Sequence, residues 1–255
     1  MQAPVWESGP RGATPLVFLH AGGLSGRMWR PQVERLGDCH CLVPDLPEQG
    51  QSPASPPFSL EEAARQVATL IRERVPEGRA HVVGLSLGGA VALEVLRTEP
   101  ERLRSVFVTG TSARLGRVLG MISLASASLT RVLGPERLAE LSLRQFAIPP
   151  EYQDIVREDL VRGCEEPFLR HVTQALMAQR LPTRATVPTL VAVGERETLP
   201  ARRAARTLVA TLTGARGVQV PSLGHVWNLQ APDLFTALVR AWSTGAPLPE
   251  GLTSL

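Results

Sequence analysis

One decapeptide constrains the fold of this 255-residue chain more than any other segment. Residues 82–91 read VVGLSLGGAV, and they join a β-branched apolar run to an alanine-rich apolar run through glycines on both sides of Ser86. The first run is typical of a buried strand and the second of a helix covered on most sides. A serine at such a junction indicates a tight strand-to-helix turn. Two interpretations follow for Ser86: a small structural residue, or a nucleophile that the sharp turn exposes.

Further apolar runs alternate with amphipathic runs along the chain. Runs of strand character lie at residues 16–19, 41–43, 81–83, 106–108, 187–193 and 218–220. Helical periodicity follows several of them, most clearly after Ser59, which has capping-box spacing to Glu62. This alternation predicts an α/β fold with a mostly parallel central sheet and helices on both faces.

The region 113–184 differs from the rest because it carries apolar helical runs without convincing strands. We therefore expect four parts: a first part of an α/β core at 1–112, a small helical cap insertion at 113–184, a second part of the core at 185–245, and a loose tail at 246–255. Ligands bind beyond the carboxyl ends of the strands in such sheets, so the insertion would roof the site. Its apolar runs favour an uncharged or hydrophobic small molecule. Met121, Leu124, Phe146 and Phe168 are candidates for the lining and equally for core packing.

The basic residues exclude several kinds of chemistry. All 27 are arginine and none is lysine. The chain therefore has no lysine to form a Schiff base with pyridoxal phosphate or to bind phosphate in a P-loop. The arginines are scattered among acids without interleaved aromatic residues, which argues against a nucleic-acid partner. We expect no cofactor and no metal, and the oligomeric state is not indicated.

Compartment is indicated by what the sequence lacks. The sequence contains no run of 18 apolar residues, so no membrane span is predicted. The first residues do not have the pattern of a secretory signal. The three cysteines, Cys39, Cys41 and Cys164, cannot all pair. Free thiols and a cytoplasmic location are the expectation.

A serine nucleophile needs a base, and the base needs an acid. Of the five histidines, His225 alone combines the right chain order with the right end of the sheet, because it follows the last strand run. The other interpretation of His225 is an ordinary loop residue. Glu195 and Glu197 both follow the strand at 187–193, and either carboxylate could serve. The order serine, acid, histidine is the one that a nucleophile-elbow fold uses.

These motifs together resemble the α/β-hydrolase superfamily, in particular its single-domain serine esterase and lactonase-like group. Residues 20–23, HAGG, with Trp29 resemble the family's His-Gly oxyanion loop and the helix after it. Residues 44–52, PDLPEQGQS, resemble its Asp-x-x-Gly-x-Gly-x-Ser loop, and residues 194–197, GERE, resemble its Gly-x-x-Asp turn. The resemblance covers about 16–113 and 188–242.

The resemblance implies roles for the residues of the serine, acid and histidine set. Ser86 would be the nucleophile and His225 the base. The family's usual acid position falls on Glu197, with Glu195 as the alternative. Leu87 would give one backbone N–H to an oxyanion hole.

The second oxyanion donor would come from the glycine loop. The family pattern points to the backbone N–H of Gly22, with Ala21 or Gly23 as alternatives one residue away. His20 would shape this loop. Asp45 would stabilise a turn, and Glu48, at the position of a family glycine, would be a structural variation.

The implied activity is hydrolysis of a small ester, lactone or related acyl substrate through an acyl-enzyme. A second hypothesis is that the chain has the same fold but catalyses another reaction, since members of the family include lyases, acyltransferases, carbon–carbon bond hydrolases and cofactor-free peroxidases. A third hypothesis is a non-catalytic ligand receptor. The intact set of serine, acid and histidine argues against it.

Overall fold

A single sheet organises the computed structural model, which describes residues 4–52, 57–111, 115–127 and 133–255. In these ranges its eight strands are β1 Val5–Ser8, β2 Pro15–Leu19, β3 His40–Pro44, β4 Ala80–Leu85, β5 Leu103–Thr109, β6 Arg184–Gly194, β7 Thr213–Val220 and β8 Thr253–Ser254. They lie in the order β1-β3-β2-β4-β5-β6-β7-β8. The inner strands are parallel to one another, whereas β1 and β8 run antiparallel at the two edges. This topology confirms the predicted fold class.

Helices cover both faces of the sheet. Within the described ranges they are α1 Arg30–Arg35, α2 Leu60–Arg74, α3 Leu87–Thr98, α4 Arg117–Ala127, α5 Pro135–Gln145, α6 Gln153–Gly163, α7 Glu166–Ala178, α8 Leu199–Thr211, α9 Trp227–Gln230 and α10 Pro232–Thr244. The serine half of the predicted capping box is present, since the Ser59 hydroxyl accepts from the Glu62 amide at the start of α2, whereas the Glu62 carboxylate accepts from Arg65 and Gln66. None of the helices in the described ranges has the length and apolarity needed to cross a bilayer.

The core lies on both sides of the sheet because successive strand residues face opposite ways. In β2, Leu16 and Phe18 belong to the cluster on the side of α1, α9 and α10, whereas Val17 and Leu19 belong to the cluster on the side of α2, α3 and α8. All four side chains are fully buried. Burial on both faces explains why these strands are continuous apolar runs in the sequence.

The described residues between β5 and β6, at 115–127 and 133–178, are called the cap segment below. They form α4 to α7 and no strand, in agreement with their apolar helical runs. In this segment α4 packs against α7, and α5 packs against α6. The expected boundary at 113 lies outside the described residues, as do residues 128–132 of the expected cap insertion. The division into core and cap stays a prediction.

The end of the chain differs from the expectation of a loose tail. Thr253–Ser254 form the edge strand β8 beside β7. Leu248 and Leu252 are half-buried against the apolar cluster of α10, and Leu255 packs against Gly217. Leucines spaced among Pro and Gly residues therefore anchor this segment, although it has no periodic pattern.

Candidate active site

Ser86 lies at the turn between β4 and α3, where the sequence predicts it. Its backbone has φ 55° and ψ −112°, a conformation that residues other than glycine rarely adopt. The flanking glycines permit this turn: a Cβ on Gly84 would lie 2.4 Å from the carbonyl oxygen of Gly88, and one on Gly88 would lie 2.1 Å from that of Leu19. The strained turn leaves the Ser86 side chain partly exposed at the carboxyl end of the sheet.

The start of α3 provides backbone amides beside Ser86. The first N–H groups of an α-helix have no acceptor within the helix. Leu87 is the first residue of α3, and Ala90 N donates to Ser86 O at 3.1 Å one turn later. The Leu87 amide is therefore available to a ligand, and the positive end of the helix dipole favours an anion there.

His225 and Glu197 meet at the same end of the sheet. His225 follows β7, and its Nδ1 lies 2.9 Å from Oε2 of Glu197, whose side chain is 3% exposed. When Nδ1 donates to the carboxylate, Nε2 is the ring nitrogen left to accept a proton. The buried carboxylate orients the ring.

Residues 109–111, at the end of β5, contact Ser86 and the His225 ring. A Cβ on Gly110 would lie 2.7 Å from His225 Cε1, so the ring lies directly against this glycine, whose φ is 60°. The neighbours of Gly110 contact the other residue: Thr109 O accepts from Ser86 N at 2.9 Å. Thr111 Oγ1 donates to Ser86 O at 3.0 Å. Thr109 and Thr111 therefore contact Ser86, and Gly110 between them contacts the His225 ring.

Glu195, the alternative acid, is held elsewhere. Its Oε2 accepts the Ser222 amide at 2.7 Å on the exposed side of the turn. Glu197 is turned inward, since its amide donates to Gly194 O at 3.1 Å and its Oε1 lies 3.4 Å from the Gly194 amide. The structure thus places Glu197, and not Glu195, next to the histidine ring.

The three amides considered for the glycine loop have different surroundings. The Ala21 N–H points to the sulfur of Met28 at 3.3 Å, and the Gly23 N–H donates to Gln49 Oε1 at 2.8 Å. Gly22 lies between them, and its amide has no acceptor among the described residues. Of the three amides, the one at Gly22 is therefore the one free to bind a ligand oxygen.

Gly22 lies beside the first residue of α3. A Cβ on Gly22 would lie 3.4 Å from Leu87 Cδ2. His20 fixes the loop from behind: its Nδ1 donates to Ala21 O at 2.9 Å, and its Nε2 accepts from Leu46 N at 2.9 Å. The ring is fully buried, and burial lowers its pKa, so His20 is a neutral structural residue here.

The loop after β3 is joined to the cap segment by a contact that the sequence did not reveal. Asp45 accepts the Gly26 amide at 2.8 Å, consistent with the expected structural role. Glu48 has φ 63°; its carboxylate accepts the Phe58 amide at 3.0 Å and lies 3.0 Å from His171 Nδ1 on α7. The one signal in the sequence was a large side chain at a position that resembles a glycine of the family.

Phe146, at the end of α5, is the lining candidate that reaches His225. The two ring centroids are 5.3 Å apart and the planes differ by 32°. Gln230 ties the two segments together, because its Nε2 donates to Phe146 O at 3.0 Å and its Oε1 accepts the Gly224 amide at 2.9 Å. The cap segment thus contributes an aromatic face directly beside the histidine.

The other lining candidates lie elsewhere. Phe168 belongs to the core and packs edge-on against Phe58, with centroids 6.3 Å apart. Met121 is 62% exposed, and Leu124 is half-buried on the same helix.

The cysteines do not compete with Ser86 as nucleophile candidates. All three are free thiols. Burial raises the pKa of Cys41 to about 12 and that of Cys164 to about 11, so both are protonated at neutral pH and are poor nucleophiles. In the part of the chain that the structure describes, no group of three or more His, Cys, Asp or Glu residues could hold a metal ion.

Comparison with known proteins identifies the family. Residues 16–238 match the model of the alpha/beta hydrolase family. An AB hydrolase superfamily protein from Gibberella zeae is 28% identical over 96% of this chain and 86% of its own length. A pimeloyl-[acyl-carrier protein] methyl ester esterase from Neisseria meningitidis is 27% identical over 94% of this chain and 97% of its own length.

Solved structures share the fold. The enol-lactonase from Burkholderia xenovorans LB400 superposes with a TM-score of 0.81 at 25% identity, over 94% of this chain and 96% of that one. A thermophilic esterase from Thermogutta terrifontis gives a TM-score of 0.82 at 24% identity, over 95% and 93% of the two chains. The family match confirms the resemblance inferred from the motifs: the chain belongs to the alpha/beta hydrolase family and is a hydrolase.

Proposed function

We propose that this enzyme hydrolyses small esters, lactones or related acyl substrates through an acyl-enzyme on Ser86. The observation that carries the proposal is the His225–Glu197 pair, 2.9 Å apart, which lies on Gly110 beside the strained Ser86 turn. The names of two similar proteins point to the same chemistry, since one is a methyl ester esterase and another an enol-lactonase.

The first half-reaction forms the acyl-enzyme. Nε2 of His225 takes the proton of the Ser86 hydroxyl while Oγ attacks the acyl carbon, and the carbonyl electron pair moves onto the oxygen. The backbone amides of Leu87 and Gly22 donate to this oxyanion. Glu197 holds the ring in the required tautomer and stabilises the imidazolium. Collapse breaks the bond to the leaving group, which departs with the proton from His225.

The second half-reaction repeats these steps with water. His225 takes a proton from water as its oxygen attacks the acyl carbon, and the same two amides hold the oxyanion. Collapse breaks the bond to Ser86 Oγ, which recovers its proton from His225. The products are the free acid and the regenerated serine, and no cofactor takes part.

The surroundings of His225 favour an uncharged or hydrophobic small molecule. Phe146 presents its ring next to the histidine, where the acyl or leaving group must lie. An apolar group gains by leaving water against such a face, whereas a charged group would lose hydration there.

We also infer a cytoplasmic location. The three thiols are unpaired, which supports a reducing compartment because disulfides are rare there.

The test uses a fluorophosphonate probe and a nitrophenyl acetate on the wild-type enzyme and on Ser86→Ala. We expect the wild type to be labelled and to turn over the ester, and the variant to lose both, because the covalent acceptor is gone. Loss of the nucleophile should lower kcat by about 10⁶-fold. Ser243→Ala is the matched control: this serine lies near the end of α10 and bonds to Arg240 O, so its loss should leave labelling unchanged.

Two outcomes would contradict the proposal in different ways. Labelling that survives Ser86→Ala would remove Ser86 from the mechanism. Labelling of wild type without turnover of any ester or lactone would instead support a non-hydrolytic reaction at the same residues.

A further inference from the structure

A buried carboxylate of the cap segment contacts the glycine loop. Asp159 lies on α6, and its side chain is 7% exposed. Its Oδ2 accepts from Ser25 N at 3.0 Å and from Ser25 Oγ at 2.5 Å, and its Oδ1 lies 3.3 Å from Nη1 of Arg27. Ser25 caps the 3-10 helix Gly26–Trp29, which follows the loop. The carboxylate therefore holds the point at which the loop turns into this helix.

The end of α6 packs closely on the same loop. A Cβ on Gly163 would lie 2.9 Å from Gly23 O, and a Cβ on Gly23 would lie 2.6 Å from Cys164 Sγ. The backbone of Gly23 lies against Gly163 on one side and against the Cys164 side chain on the other. The helix therefore packs directly on the neighbour of Gly22.

Gly22 is consequently fixed from both sides. On one side, Ala21 O accepts from the buried His20 ring. On the other side, Gly23 is held by Gln49 at 2.8 Å and by α6. The contacts of Gly23 come from the core and from the cap segment, so the orientation of the Gly22 amide depends on how the cap segment is seated.

Stability alone is a poor explanation for the carboxylate. Burial raises the pKa of Asp159 even though three donors face it, so the ionised form loses more on leaving water than the donors return. Buried ion pairs are often replaceable by neutral groups without loss of stability. A carboxylate in such a place is better explained by what it positions.

We propose that Asp159 is a positioning residue for the oxyanion loop: by holding Ser25 it fixes the direction of the Gly22 N–H, so the oxyanion hole is complete only while α6 is docked. This inference rests on the proposed function, since it concerns the amide assigned there to the oxyanion. It makes the cap segment part of the transition-state machinery, in addition to its contact with His225 through Phe146.

The test compares Asp159→Asn with wild type in ester hydrolysis. A misplaced donor weakens binding of the transition state and not of the ground state, so we expect kcat to fall about tenfold to a hundredfold with KM nearly unchanged. A trifluoromethyl ketone, which adds to Ser86 and places a negative oxygen in the hole, should lose affinity by a similar factor. Ser25→Ala approaches the contact from the other side and should give the same pattern.

The matched control is Asp154→Asn on the same helix. Asp154 is 93% exposed and pairs with Arg157, so its neutralisation should change neither kcat nor the inhibition constant. Melting temperatures of all variants separate positioning from stability. If Asp159→Asn lowered the melting temperature and left kcat and ketone affinity at wild-type values, the carboxylate would be structural only and the inference would be overturned.

The inference and the proposed function fail in distinguishable ways. An active wild type whose Ser86→Ala variant is inactive, together with full activity in Asp159→Asn and Ser25→Ala, would overturn the inference and leave the function standing. Turnover that persists in Ser86→Ala would overturn the function, and the inference with it.

Discussion

Two glutamates, Glu195 and Glu197, follow β6 within three residues of its end, and only Glu197 contacts His225. Glu197 is buried with its Oε2 on His225 Nδ1, whereas Glu195 stays at the surface on the Ser222 amide. The difference in surroundings matters because the attraction between a buried carboxylate and an imidazolium is weakly screened, whereas water and salt screen the attraction of an exposed carboxylate. The two glutamates should therefore respond very differently to the same substitution.

Glu197→Gln should lower kcat by about 10³- to 10⁴-fold, because a neutral amide neither stabilises the imidazolium nor enforces the tautomer that leaves Nε2 free. Glu195→Gln, the matched control, should stay within about twofold of wild type, as surface substitutions away from special features have small effects. Steady-state kinetics on one ester decides the matter. Equal losses in the two variants, or a loss confined to Glu195→Gln, would show that the acid is assigned wrongly.

At this scale the sequence predicts what is encoded locally. The Ser86 turn follows from two glycines at a strand-to-helix junction, and His225 from its place after the last apolar strand run. The choice of Glu197 depends on the direction of side chains in a four-residue turn, which composition does not determine. The choice of Gly22 depends on which side chains accept from the amides of Ala21 and Gly23, Met28 and Gln49, and neither contact has a pattern in the sequence.

At the scale of elements, the end of α5 has a strained residue next to the site. Ala147 has φ 48°, its amide donates to Arg144 O at 3.1 Å, and the amide of Ile148 donates to Leu143 O at 3.0 Å. This is a Schellman motif with alanine where glycine is usual. A Cβ in the left-handed conformation costs about 1–2 kcal/mol, so the helix that presents Phe146 ends at an energetic cost.

Ala147→Gly should therefore raise the free energy of unfolding by about 0.5–1 kcal/mol, the gain in the folded state less the extra freedom of glycine in the unfolded chain. The matched control, Ala237→Gly, lies at an exposed position inside α10 and should lower it by about 1 kcal/mol. Urea titration of both variants measures the two effects. A destabilised Ala147→Gly would mean that the positive φ carries no strain.

Most helices and inner strands could be predicted because each has a period or a continuous apolar run. The edge strand β8 could not, because two residues have no period and their pairing depends on leucines elsewhere in the tail. The contacts between the cap segment and the core could not be predicted from the sequence either. Glu48 with His171 and Asp159 with Ser25 each join residues more than 100 positions apart.

At the scale of the whole molecule, histidines whose pKa is lowered by burial link stability to pH. Burial lowers the pKa of His81 to about 4, with Arg104 adding to the effect, and burial also lowers the pKa of His20. In the unfolded chain such groups titrate near pH 6.5. Their contribution to stability is therefore fully present above about pH 6.5 and is lost as the pH falls from there toward 4.

His81→Gln should make the acid dependence shallower, because glutamine keeps a polar group near Ser105 Oγ but does not titrate. The measurement is the free energy of unfolding in urea at several pH values between 7 and 4.5. The comparison concerns the change across this range and not the absolute stability, which the substitution itself alters. Parallel curves for wild type and variant would contradict the assignment of a depressed pKa to His81.

The contact of Gly163 with Gly23 bears on how the substrate range of this enzyme could be redirected. A library that diversifies every position of the cap segment and of the loop beneath it would include both glycines. Here a Cβ at Gly163 would crowd the carbonyl oxygen of Gly23, and one at Gly23 would crowd the Cys164 sulfur, so α6, the loop or the Cys164 side chain would have to shift. Variants lost to this cause would look like failures of recognition although their pockets were sound. Diversity placed at Phe146 and its exposed neighbours, with both glycines kept, would sample new specificities on an intact scaffold.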